Sequence, residues 1–102
     1  MLLTIDIGNT NITLGGYMGE NLMFISRLAT DIRMTADQYA LQIKDIVTLR
    51  GCDWSDIDDA IISSVVPIVG GAISRAIEFI TGKAPMVLGP GVKTGLNIKI
   101  DN

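Results

Sequence analysis

From Leu2 to Ile7 the chain is a run of apolar, strand-forming side chains with one carboxylate, Asp6, near its end, and Gly8-Asn9 closes it. A run of that length between turn signals is a buried strand ending in a tight turn, so the chain must build a sheet around its own beginning. The next residues extend it. Asn11 to Met18 carries Ile12, Leu14 and Tyr17 with Gly15-Gly16, and Gly19-Glu20 supplies a hairpin turn. Leu22 to Leu28 then alternates Leu22, Phe24 and Ser26 against Met23, Ile25 and Arg27. This opening predicts a three-stranded antiparallel meander.

The period then changes. From Thr35 to Arg50, the residues Ala36, Tyr39, Ala40, Ile43, Ile46 and Val47 recur at the i, i+3, i+4, i+7 spacing of a helix packed on one face. Thr35 with Gln38 forms a capping box, and Gly51 supplies the left-handed residue past the C-terminus. Ala60 to Val66 reads as an apolar strand, and Pro67 to Thr81 as a second, heavily buried helix with Pro at its start and Gly82 beyond its end. Pro85-Met86-Val87-Leu88 makes a further short strand, and Leu96 to Ile100 has the composition to begin another. The order β-β-β-α-β-α-β predicts an α/β fold. Its mixed sheet holds three antiparallel strands followed by two β-α-β crossovers, the strand after each helix running parallel to the first.

A chain of 102 residues that is 48% hydrophobic and 19% charged is one domain with a core large enough to fold without disulfide or metal staples. Eight Lys plus Arg against eleven Asp plus Glu, scattered along the chain, leave no clustered basic surface for nucleic acid. No run approaches the roughly 18 apolar residues of a membrane helix, and the N-terminus lacks a basic targeting region. The single cysteine, Cys52, has no internal disulfide partner, which fits a reducing cytoplasm. Histidine is absent, so any acid or base is a carboxylate, lysine or tyrosine. That favours reactions driven by positioning and charge neutralisation, with phosphoryl transfer foremost.

The strongest chemical signal is Asp6-Ile7-Gly8-Asn9-Thr10-Asn11, a carboxylate at the end of a buried strand followed by a turn of small polar residues. Gly8 lets the backbone approach an anion, Thr10 and Asn11 offer side-chain donors, and Asp6 is placed to hold a hydrated Mg²⁺. The same residue types also build a plain β-turn with Asp6 bonded to its backbone. Gly82-Lys83-Ala84 lacks the upstream glycine of a Walker A loop. Gly89-Pro90-Gly91-Val92-Lys93-Thr94-Gly95 is one residue too long for a dinucleotide fingerprint and leads into no helix pattern. Arg27, Thr30, Asp31 and Arg33 follow the third strand, where a cleft rim or a solvated ion pair would lie. Asp56, Asp58 and Asp59 read as helix-end charges after Trp54-Ser55, and Met18, Met23, Met34 and Met86 as packing residues.

Four segments occur in order: Asp6 to Asn11 within Leu3 to Gly15; Arg27-Leu28-Ala29-Thr30 with Arg33 and Thr35-Ala36-Asp37-Gln38-Tyr39; Ile62-Ser63-Ser64-Val65-Val66-Pro67; and Gly89 to Asn97. Together they closely resemble the type III pantothenate kinases, and the resemblance spans all 102 residues. It implies a ribonuclease-H-like, actin-like ATPase domain that forms the N-terminal nucleotide-phosphate-binding half of a two-domain kinase, residues 1–102 here. The implied enzyme phosphorylates pantothenate with ATP, Mg²⁺ and a monovalent cation, K⁺ or NH₄⁺, as a cytoplasmic homodimer. Carried onto this chain, Asp6 stands near the metal through water. Ile7, Gly8, Asn9, Thr10, Asn11, Ile12 and Thr13 complete the phosphate loop.

The family's Gly-Ala-Asp-Arg motif, whose aspartate accepts the substrate proton, belongs just beyond Asn102, as do the cation and adenine sites of the second domain. The 102 residues alone are therefore expected to be inactive, and the uncapped end at Asp101-Asn102 reads as that of a fragment. Many relatives carry a substrate-contacting tyrosine where this chain has Ile100. The alternative is a non-catalytic regulatory or assembly module of actin-like fold, of the accessory transcription factor type.

Overall fold

The computed structural model describes residues 1–89, so the expected strand from Leu96, Ile100 and all but the first residue of the Gly89–Gly95 loop lie outside the described residues. The meander is present as β1 (Leu2–Ile7), β2 (Asn11–Met18) and β3 (Asn21–Ala29). Gly19, at φ +61°, makes the hairpin turn that a residue with a side chain would resist. Helix α1 (Ala36–Leu49) follows, then a single 3-10 turn at Trp54–Asp56, β4 (Asp59–Ser64), α2 (Pro67–Thr81) and β5 (Met86–Leu88).

The five strands lie in the order β3-β2-β1-β4-β5. β1 is antiparallel to β2 and parallel to β4, and β4 is parallel to β5, as the crossover reading requires. Register puts Ile5 beside both Leu14 and Ile62, and Ile7 beside Ile12, so these apolar residues share one face. They form one buried cluster with Tyr39, Ile43 and Val47 of α1 and Val69, Ile73 and Ile77 of α2. Both helices therefore cover the same face, and each buried Leu or Ile side chain contributes about 1.5–3 kcal/mol. The other face carries Thr4, Asp6, Thr13, Ile61 and Ser63.

Local signals explain the helix ends. Gln38 N donates to Thr35 Oγ1 (3.2 Å) and Thr35 N donates to Gln38 Oε1 (2.8 Å), which completes the capping box. Gly51 and Gly82 adopt φ +78° and +75° beyond α1 and α2. Each helix descends from the carboxyl end of the parallel strands, so both helix N-termini share that end with the β1–β2 turn.

Four expectations need correction. β4 stops at Ser64 rather than Val66, because Ser64 Oγ accepts the Val66 N–H (3.0 Å) and turns the chain into Pro67. Of the four methionines expected to pack, Met18, Met23 and Met86 are exposed and Met34 packs against the core: the first two flank the hairpin and the third lies on an edge strand. α2 is buried along Val69, Ala72, Ile73, Ala76 and Ile77, yet Ile68 and Phe79 face outward. Of the acidic residues, only Asp56 lies in the 3-10 turn. Asp58 Oδ2 instead accepts from the Met1 ammonium at 2.7 Å, and Asp59 faces Lys83 at 3.5 Å.

Candidate functional site

Asp6 is the penultimate residue of the central strand, on the face that α1 and α2 leave uncovered. Its cross-strand neighbours are Thr13 and Ser63, and Thr13 in turn pairs with Arg27. Arg27, Thr13, Asp6 and Ser63 thus form one polar row across the sheet at the carboxyl end of the parallel strands, where ligands bind in open α/β sheets. Asp6 Oδ2 is buried and has no hydrogen-bond partner among the described residues. Burial pushes the Asp6 carboxyl above the usual carboxylate range. A carboxylate oxygen held that way is stabilised by taking up a proton or a cation.

The turn beyond it is tight. Gly8 N donates to Asn11 O at 2.9 Å, and a Cβ on Gly8 would stand 3.2 Å from that same oxygen. Asn9, Thr10 and Asn11 are exposed, with Asn11 Nδ2 donating to Thr10 Oγ1 at 3.3 Å. Small polar groups and free backbone therefore line the outside of the turn, the chemistry of an anion cradle. Ile7 and Ile12 are core residues, so only their backbone can serve a ligand, and Ile7 O is occupied by Val65 N–H at 3.1 Å. Thr13 is half-buried beside Asp6.

Among the described residues no group of three or more His, Cys, Asp or Glu side chains could cage a metal ion. One orphaned carboxylate oxygen flanked by hydroxyls fits a hydrated Mg²⁺, which keeps most of its waters and takes one or two carboxylates. Gly82-Lys83 is a helix terminus tied down by Lys83 Nζ donating to Asp58 O at 3.1 Å, at the opposite end of the sheet. The Asp31–Arg33 pair, at 3.8 Å and exposed, adds little.

Sequence reasoning set Thr30 at a cleft rim or in a solvated ion-pair segment and gave Ser63 no role. Thr30 Oγ1 donates to Gly8 O at 2.8 Å and Thr30 N donates to Thr10 O at 3.0 Å, so this residue grips the turn. Ser63 could have been found by aligning β4 with β1 in parallel, which places it opposite Asp6.

Comparison with known proteins agrees with this geometry. A ROK hexokinase from Thermus thermophilus superimposes with a TM-score of 0.63 at 16% identity, over 86% of this chain and 34% of that one. RuvC from the same organism superimposes with a TM-score of 0.54 at 18% identity, over 87% of this chain and 61% of that one. At such identities the likeness shows the fold, which is the ribonuclease-H-like, actin-like architecture expected. In sequence, the type III pantothenate kinases of Geotalea uraniireducens and Halalkalibacterium halodurans are 47% and 44% identical across the whole chain. The chain spans about 40% of the length of these curated relatives. The sequence pattern of the type III pantothenate kinases matches residues 2–102, and the chain belongs to that family.

Proposed function

We propose that this chain is the nucleotide-phosphate half of a two-domain kinase that transfers the γ-phosphoryl group of ATP to pantothenate. The observation that carries the reading is the orphaned, buried Asp6 oxygen directly before an exposed turn of small polar residues. Asp6 would hold a hydrated Mg²⁺ through water, and backbone N–H groups of the turn, with Thr10 and Asn11, would cradle the phosphates. The hydroxyl residues Thr13 and Ser63, beside Asp6 in the sheet, would hold that ion's waters. When bound, Mg²⁺ neutralises charge on the phosphate oxygens as the group is transferred.

Two needs of the reaction fall to the second domain: the carboxylate that accepts the substrate proton, and the monovalent cation site. The family relation supports a homodimer at work in the cytoplasm, and among the described residues no helix is long and apolar enough to cross a membrane.

Calorimetric titration with Mg-ATP tests the reading on the natural full-length protein, alongside pantothenate-dependent ADP release. Binding that disappears in Asp6→Asn, together with ADP release that requires pantothenate, is the expected result. Nucleotide binding that survives Asp6→Asn unchanged would refute the assignment. Trp54 fluorescence is a poor reporter, because that residue precedes β4 at the end of the sheet opposite the turn, a strand length of roughly 20 Å away.

A further inference from the structure

We infer that Thr30 and Tyr39 are positioning residues that hold the β1–β2 turn in the shape that receives phosphate, and so set ATP affinity without touching ATP. The inference rests on the reading of that turn as a phosphate cradle. The turn closes on one backbone bond of its own, Gly8 N to Asn11 O, beside one exposed side-chain bond from Asn11 to Thr10, and its outer residues Asn9 and Thr10 are exposed. A loop so lightly tied would lose entropy each time it ordered around a ligand. Thr30 removes that freedom from outside. Its hydroxyl donates to Gly8 O and its backbone N–H to Thr10 O, so both sides of the turn are fastened to one residue just past β3.

Thr30 is itself fixed by α1. The next residue, Asp31, is held through its main chain by Tyr39, whose hydroxyl accepts from Asp31 N and donates to Asp31 O, both at 2.9 Å. The Tyr39 ring is fully buried in the core. A continuous path thus runs from the packed core through Tyr39, Asp31 and Thr30 to Gly8 and Thr10. Asp31 O also accepts from Met34 N (3.2 Å) and Asp31 Oδ1 from Arg33 N (2.9 Å), which fixes the segment leading into the capped start of α1. The Tyr39 ring belongs to the core, whereas the half-buried Thr30 side chain is not part of the apolar cluster that joins the sheet to both helices.

The test uses Thr30→Val, which keeps the shape and deletes the donor, Thr30→Ser, which restores it, and Tyr39→Phe, all in the natural full-length protein. Steady-state kinetics and amide hydrogen exchange are read on each. In Thr30→Val the KM for Mg-ATP is expected to rise about tenfold, the effect of losing one hydrogen bond of this kind, with the KM for pantothenate unchanged. Amide exchange at Asn9 and Thr10 should quicken while amides of β1 and β4 keep their protection. Serine should restore both readouts, and Tyr39→Phe should move them in the same direction by less. A wild-type KM for ATP in Thr30→Val, or a rise in both KM values alongside a general loss of protection, would overturn the inference. Wild-type protein that binds no nucleotide would instead overturn the reading of the site itself.

Discussion

Burial raises the proton affinity of Asp6, so the folded chain holds a proton there more tightly than the unfolded chain does. The stability linked to this group is complete below the unfolded carboxylate pKa of about 3.9 and is lost as pH rises through the higher folded value. At neutral pH the ionised, unpartnered oxygen therefore works against folding. Asp6→Asn should raise the melting temperature at pH 7, by an amount that shrinks as the pH falls towards 4, while abolishing Mg-ATP binding. Differential scanning calorimetry against pH, on both proteins, checks the first half of that statement. A different constraint acts at Gly16, where a Cβ would run into the buried ring of Phe24 across the β2–β3 pair. Gly16→Ala should cost about 1–3 kcal/mol in urea unfolding, as overpacking does.

Among the elements, α1 shows what local sequence can disclose. Thr35 and Gln38 lie three residues apart and close their bonds within one turn, so the start of the helix was readable without any tertiary knowledge. Thr35→Ala should accordingly lower stability by about 1 kcal/mol, measured by denaturant midpoint, with little effect on nucleotide affinity. The end of β4 was less readable, because Val65 and Val66 have strand-forming side chains and only the Ser64 hydroxyl, by capturing Val66 N–H, ends the strand early. Thr30 was hidden for a reason of counting. Pairing outward from Gly19-Glu20 sets Leu22 against Tyr17, but the irregularity between Gly16 and Tyr17 shifts the ladder, so that Phe24 meets Gly16 and Ala29 meets Asn11. Without that extra residue Thr30 would fall opposite Asn9, and with it Thr30 meets Thr10, a choice that no local pattern announces. Met18 and Met23 were misread because apolar residues sit at both parities of the hairpin, leaving alternation unable to say which face is covered.

For the whole molecule, the two ends of the sheet have separate tasks. The carboxyl end gathers Asp6, the turn, Thr30 and both helix N-termini, while the opposite end is fastened by the Met1 ammonium on Asp58 and Asp56 and by Lys83 on Asp58 and Asp59. The Met1 ammonium holds the Asp58 carboxyl below the usual range, so its contribution is present above the unfolded carboxylate pKa and disappears as pH falls through the lower folded value. Asp58→Asn should lower the melting temperature slightly at pH 7, and the difference from wild type should vanish in strong acid, a trend opposite to that at Asp6. The topology was legible in the order of periodic segments, because a strand after a crossover helix has few places to go. The fastening at the far end was not, since residues 1 and 58 are brought together only by the parallel pairing of β1 with β4. Because β1 is made first yet lies in the middle of the sheet, a ribosome releases the β1–β3 meander while one edge of β1 still waits for Asp59 to Ser64. During that interval the row Leu3, Ile5 and Ile7 borders an open ladder, the template on which nascent chains join one another. Pausing translation between β3 and β4 should therefore divert product into inclusion bodies, and speeding that stretch should recover it.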